Sequence, residues 1–261
     1  MGKIVLYVMI ILFSNTIGAI SGMGGGVIIK PVLDLLSGDP LVAINFYSSF
    51  AVFIMSIVST GKGLKRGVRI DWHEALFLSA GSIIGGKLGD GGFILLSKIL
   101  QNDHSLNLIQ IIIVVIALVL ALLFSKSGGF HFNKQITYFL FVLSGLALGM
   151  LSTFLGIGGG PINVAVIIYL FGFEPKKAAF YSIISIFFSQ LIKLLTNLSH
   201  VSDLGLNVSL LPGIAIAAII GGYLGAVISC RLTNRTVLSI YRAVVVCVIG
   251  LNVYNGIMLV I

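Results

Sequence analysis

The sequence predicts an all-α polytopic membrane protein. It is built of two inverted-topology repeats, each a Gly-interrupted helical hairpin followed by three transmembrane helices. Three observations predict this. The composition is too apolar for a soluble surface. A glycine-rich pattern occurs twice in the same order. The basic residues fall on one side of the membrane only if each repeat crosses it an odd number of times.

The 261 residues are 58% hydrophobic and only 9% charged. A soluble domain is about one-quarter charged. Apolar stretches of about 20 residues, the length needed to cross a bilayer, recur from end to end and leave no room for a separate soluble domain. The runs are continuously apolar, as in Ile109–Phe124 and Ile136–Leu148. A β-barrel fits poorly, since its strands alternate every second residue. The formal net charge of +8 is not a nucleic-acid signal here, because the basic residues lie between apolar runs and act as topology signals. Cys230 and Cys247 form no CxxC motif, so neither a disulfide nor a metal site is expected. Lys3, the apolar run behind it and the small residues near Ala19 and Ser21 resemble a signal peptide. The same pattern returns at 136–160, where a signal peptide has no place.

The repeat is visible without gaps. Gly22-Met23-Gly24-Gly25-Gly26 matches Gly156-Ile157-Gly158-Gly159-Gly160 at an offset of 134, as does Phe46-Tyr47-Ser48 with Phe180-Tyr181-Ser182. Ile83–Gly89 matches Ile219–Gly225 at an offset of 136. The halves are 1–130 and 131–261. In the first, the interrupted segment is followed by spans at about 41–61, 74–97 and 107–125. In the second, the spans after it are at about 176–198, 207–229 and 237–260.

If each interrupted segment simply crosses, Lys62, Lys65, Arg66, Arg69, Lys126 and Lys134 face one side, and Lys176, Lys177, Arg231 and Arg235 the other. If it dips in and returns, or crosses twice, all ten share a side, leaving little beyond Lys3, Lys98, Asp39, Asp103 and Asp203 opposite. The second arrangement obeys the positive-inside tendency, inverts the second half, and places both termini outside a plasma (inner) membrane.

Three consecutive glycines weaken a helix by about 1 kcal/mol each relative to alanine. Backbone groups freed there must be buried in protein or line a wet cavity. Each run precedes a short apolar stretch, Val27–Leu36 or Ile162–Phe171. The N–H groups at the start of such a helix attract anions. Pro161 suits a first helical position. The candidate binding residues are therefore Gly24, Gly25, Gly26, Gly158, Gly159, Gly160 and Pro161, with Asn163 as an added donor. Asn45, Tyr47, Ser48, Tyr181 and Ser182 supply a sparse polar lining. Close helix contact and interhelical hydrogen bonding are the competing structural roles. Lys87 lies inside a span with Asp90 at i+3. It is either a charge acting on the solute or half of a neutralised pair. Lys193 and Arg242 read as snorkelling from span ends. Lys30 either attracts anions at the break or reaches the outer interface.

The chain resembles the TauE/SafE family of sulfite exporters and related anion permeases. The resemblance rests on the first glycine run, on Leu155-Gly156-Ile157-Gly158-Gly159-Gly160-Pro161, and on Ile83–Gly89 with Ile219–Gly225 as a second glycine signature. It covers essentially the whole chain. It implies export of sulfite or organosulfonates across the plasma membrane. Ala165 stands where the family often has a proline matching Pro31, which implies a less rigid second break and a shifted substrate preference.

The expected function is a secondary transporter exporting a small sulfur oxyanion, sulfite first, by alternating access, with the anion held at the two breaks near the midplane. The alternatives are a permease for an organosulfonate or other small anion, and a passive anion channel. No GxxxxGK[ST] motif is present to use ATP directly. An enzyme is not expected: His73, His104, His131 and His200 lie at span ends or in loops, and no HExxH occurs. A cation permease would need carboxylate, His or thiolate ligands in the spans, which are nearly empty of them. No cofactor is expected. The expected partners are the small anion and the lipid bilayer, with further copies of the chain left open and no nucleic acid.

Overall fold

The computed structural model describes residues 2–65, 70–100, 102–125, 128–130, 132–197 and 206–260. Arg66, Arg69, Lys126, His131, His200 and Asp203 lie outside these. The described residues form ten α-helices: α1 Gly2–Ser21, α2 Gly26–Leu36, α3 Leu41–Lys65, α4 Trp72–Leu100, α5 Asp103–Phe124, α6 Lys134–Leu155, α7 Gly160–Phe171, α8 Pro175–Asn197, α9 Leu211–Arg231 and α10 Asn234–Val260. Seven helical segments among the described residues are long and apolar enough to cross a membrane. α4 is not one of them, for its 29 residues include Glu74, Lys87, Asp90 and Lys98.

Local chemistry sets several ends. Asn102 caps α5 by accepting the N–H of His104. Proline occupies the first turn of α7 and of α9, where a missing N–H costs nothing. Gly156 and Gly172 end α6 and α7 in the left-handed conformation.

Both interrupted segments turn back. Lys3 Nζ meets Asp39 Oδ1 at 2.7 Å, so the start of α1 stands beside the chain leaving α2. Similarly, the N–H groups of Gly129 and Phe130, ahead of α6, bond Tyr169 and Leu170 at the end of α7. α1–α2 and α6–α7 are therefore hairpins whose tips are the glycine runs.

The helices meet in matching sets. The most extensive seams join α4 to α6 and α9 to α1. α3 contacts α9 as α4 contacts α8, and α5 contacts α7 as α10 contacts α2. Glycine makes the long seams close. A Cβ on Gly85 would overlap the Leu146 carbonyl oxygen of α6, and one on Gly225 the Thr16 carbonyl oxygen of α1. Lipid tails are as apolar as the helices, so such small-residue contact, rather than hydrophobic exclusion, drives helix association in a membrane.

Candidate functional site

The tips of the two hairpins lie side by side. A Cβ on Gly26 would overlap the Ile157 carbonyl oxygen, and one on Gly24 would stand 3.2 Å from the Gly158 oxygen. Val52 and Ile186 flank the junction, with side-chain carbons 3.3 Å from a Gly24 Cβ. Both sit near the midpoints of their helices, α3 and α8. Gly159 needs to be glycine, because its φ of 88° with ψ of −30° is outside the conformations of side-chain-bearing residues.

Two helices begin at this junction. The first bonds inside α2 run from the N–H groups of Ile28 and Ile29 to the Gly25 carbonyl. The Gly26 and Val27 N–H groups lie ahead of the helical ladder. α7 starts beside it, with a Gly160 Cβ only 2.7 Å from Val27 Cγ2. Two positive helix ends thus converge in one buried place. Around them stand buried polar side chains whose own bonding capacity is unused: both amide atoms of Asn45 and of Asn163, and the Ser48 hydroxyl. Asn45 Oδ1 abuts Gly156, Asn163 Nδ2 lies 2.7 Å from a Gly159 Cβ, and Ser48 Oγ lies 2.9 Å from a Gly26 Cβ. Buried polar atoms ordinarily have partners, so a cluster of free ones around helix N-termini suits an oxygen-rich anion. The Ser182 hydroxyl closes the cluster by donating to the Gly22 carbonyl at 2.7 Å. Among the described residues no group of three His, Cys, Asp or Glu side chains is placed to hold a metal.

Three candidates are not brought to the junction. The Tyr47 hydroxyl, near the start of α3, accepts the Asn207 N–H at 2.7 Å. The Tyr181 hydroxyl, near the start of α8, accepts the Asp71 N–H at 3.0 Å and donates to Glu74 at 2.8 Å. The tyrosines therefore tie opposite ends of the bundle, each holding the chain ahead of α9 or α4. The His73 N–H keeps the Asp71 carboxyl there below the usual carboxylate range. Lys87 is exposed, beside Ile83, Ile84 and Leu88 on the outer surface of α4. Asp90 is buried instead and accepts from Thr196 and Asn197 of α8, which take the place of Lys87 as its partners.

Two further readings are corrected. Lys193 does not snorkel. It is 4% exposed, and its ammonium donates to the Thr153 carbonyl at 3.0 Å, because α4 and α6 cover that end of α8. Lys30 neither faces the break nor reaches an interface. It is buried one turn into α2, paired with Asp34 at 2.9 Å and bonded to Asn107 at 3.2 Å. Arg242 is exposed and donates to Ser125 at the end of α5. Sequence reasoning passed over Asn15, whose buried amide oxygen abuts Gly25 and has no partner among the described residues. Its signal was present: an amide inside an otherwise apolar run.

From the end of the bundle bearing Lys62, Lys176 and Arg231, a cavity of about 390 Å³ runs in toward the first hairpin tip, past Ser59, Ala179, Ala226 and Cys230. The positions 134 or 136 residues away line a crevice at the other end: Asn45, Phe46, Ser49, Asp90, Lys193 and Asn197. The crevice holds only about 10 Å³.

Residues 7–253 match the family model described as Sulfite exporter TauE/SafE. The chain is also similar to a Bacillus subtilis (strain 168) protein named Probable membrane transporter protein YunE, at 27% identity over 279 residues, covering 97% of this chain and 98% of that one. No solved structure matches.

Proposed function

Because the chain belongs to the sulfite exporter TauE/SafE family, and is thus a multi-pass membrane transporter, we propose that it is a secondary carrier exporting a small sulfur oxyanion, sulfite first, across the plasma membrane. The observation that carries this is the junction of the two hairpin tips. Two helix N-termini and the unpartnered donors Asn45, Ser48 and Asn163 meet there, halfway along α3 and α8. That arrangement offers an anion neutral donors and oriented dipoles without a fixed positive charge at the centre.

The halves 1–130 and 131–261 are two inverted repeats in this reading. That the most extensive helix contacts have counterparts related by the repeat supports it, α4 with α6 matching α9 with α1 and α3 with α9 matching α8 with α4. So does the return of each hairpin to the end where it started. Both termini then face outward, and the end bearing Lys62, Lys176 and Arg231 faces the cytoplasm. The wide cavity at that end and the narrow crevice opposite support alternating access, with this conformation open inward.

The test is flux of radiolabelled sulfite in proteoliposomes, comparing the native chain with Gly159→Leu. Saturable, counterflow-capable flux is expected from the native chain. A loss of at least about 10-fold is expected from the variant at equal folded protein, because the side chain fills the junction. Flux of organosulfonates without sulfite would reassign the substrate. Flux without saturation or counterflow would make the protein a channel. No flux of any small anion would end the transport reading.

A further inference from the structure

The two cavities are lined by corresponding positions, yet their chemistry differs. Where the open one has Ser59 and Ala226, the closed crevice has Lys193 and Asp90. The Asp90 carboxylate is taken by the Thr196 hydroxyl at 2.6 Å and the Asn197 amide at 3.2 and 3.3 Å. The Lys193 ammonium has three protons to donate. Among the described residues it is held by the Thr153 carbonyl alone as a hydrogen-bond partner, and it stands 5.9 Å from the Phe93 ring centre. A buried cation so sparsely satisfied is poised to exchange its partner for a better one. Beside it in the same crevice, the Ser49 hydroxyl and both amide atoms of Asn45 are unpartnered and buried. Asn45 also abuts Gly156 at the hairpin junction. Unpartnered polar groups therefore stand both at the junction and in the crevice whose lining carries a buried positive charge, with Asn45 common to the two.

We propose that this crevice is a second anion subsite on the outward half of the pathway, with Lys193 as its charged ligand. When the crevice widens, the ammonium leaves the Thr153 carbonyl for an oxygen of the small oxyanion, and Asn45 and Ser49 donate alongside. Asp90, fixed to α8 by Thr196 and Asn197, balances the charge while the subsite is empty. The open cavity has Ser59 at the position matching Lys193, and so offers no equivalent group there. The subsite therefore makes the two faces unequal in affinity. This inference rests on the carrier reading above.

The experiment measures KM for radiolabelled sulfite, thiosulfate and sulfoacetate at each face, using proteoliposomes of each orientation. It compares the native chain with Lys193→Met, Lys193→Arg and the charge-balanced double variant Asp90→Asn/Lys193→Met. The expected result is an increase of about 10-fold or more in KM at the crevice face for Lys193→Met, with KM at the other face changed less than about 2-fold. Lys193→Arg recovers most of the loss. The double variant keeps it, and carries the test if Lys193→Met alone does not fold. Native-like KM in the double variant would overturn the proposal, since Lys193 would then serve only to neutralise Asp90. Equal changes at both faces would overturn it too, as a structural effect. Saturable native flux with no effect of Lys193→Met overturns this inference alone, whereas absence of native flux for all three anions overturns it together with the carrier reading.

Discussion

At Gly26 a single methyl group decides whether the hairpin tips can meet. The added Cβ would collide with the Ile157 carbonyl, a backbone atom that no rotamer change can move aside. Gly26→Ala is expected to destabilise the protein by about 1–3 kcal/mol, as overfilling a close contact does. Gly91→Ala is the control. Nothing lies within 4 Å of its added Cβ, and the helix gains up to about 1 kcal/mol. Thermal unfolding of both variants in detergent, followed by size-exclusion fluorescence, checks the pair. The glycines themselves were legible in the sequence, because three in a row weaken any helix, and the same triplet recurs at the matching place in the second apolar segment. The side chains around them were legible only in part. Asn163 follows the second glycine run by three residues, whereas Asn45 and Ser48 open the next span and stand beside Gly156 and Gly26. Tyr47 and Tyr181 do not reach the breaks, because a long rigid ring carries its hydroxyl a full turn away from its backbone, toward the helix end. Lys193 was misread for a different reason. Whether a lysine near a span end finds water depends on what covers it, and α4 and α6 are distant in sequence.

Among the elements, α4 and α9 show what the second glycine signature does. Gly81, Gly85 and Gly89 recur every four residues and place the α4 backbone against Val142, Leu146 and Met150 of α6. Gly221 and Gly225 do the same for α9 against Leu12 and Thr16 of α1. Gly85→Leu should separate α4 from α6 and cost about 3 kcal/mol or more, at the upper end of overfilled contacts. Gly250→Ala, with open space around it inside α10, should cost nothing and gain up to about 1 kcal/mol, as at Gly91. Folded yield and melting temperature of the two variants distinguish a seam from a lipid face. The helices were legible from hydropathy alone, with α3, α8 and α10 starting and ending within a few residues of expectation. α4 reads as a hydrophobic span at about 74–97, although Lys87 and Asp90 interrupt it. The partners of each seam were not legible, since a small-residue stripe says that a helix approaches and not which one.

For the whole molecule, the distribution of seams matters more than any one of them. α4 leans on α6 and α9 on α1, and each hairpin tip rests on the other, so the largest contacts of residues 1–130 are with residues 131–261. The covalent connection between α5 and α6 is therefore not the main bond between the halves. It acts as a tether that keeps two partners at high effective concentration. Two separately translated polypeptides, cut between Ser125 and Lys134, should assemble into an active, co-purifying pair, whereas either alone should be degraded. Recovery of a stable single half would show that the interlocked contacts are not what folds it. In assembly terms, such a chain behaves as two interlocked partners carried on one polypeptide. Within one chain the halves can differ position by position: residues 131–261 carry Lys193 where residues 1–130 carry Ser59, and residues 1–130 carry Asp90 where residues 131–261 carry Ala226, a divergence that two identical subunits sharing one gene cannot reach.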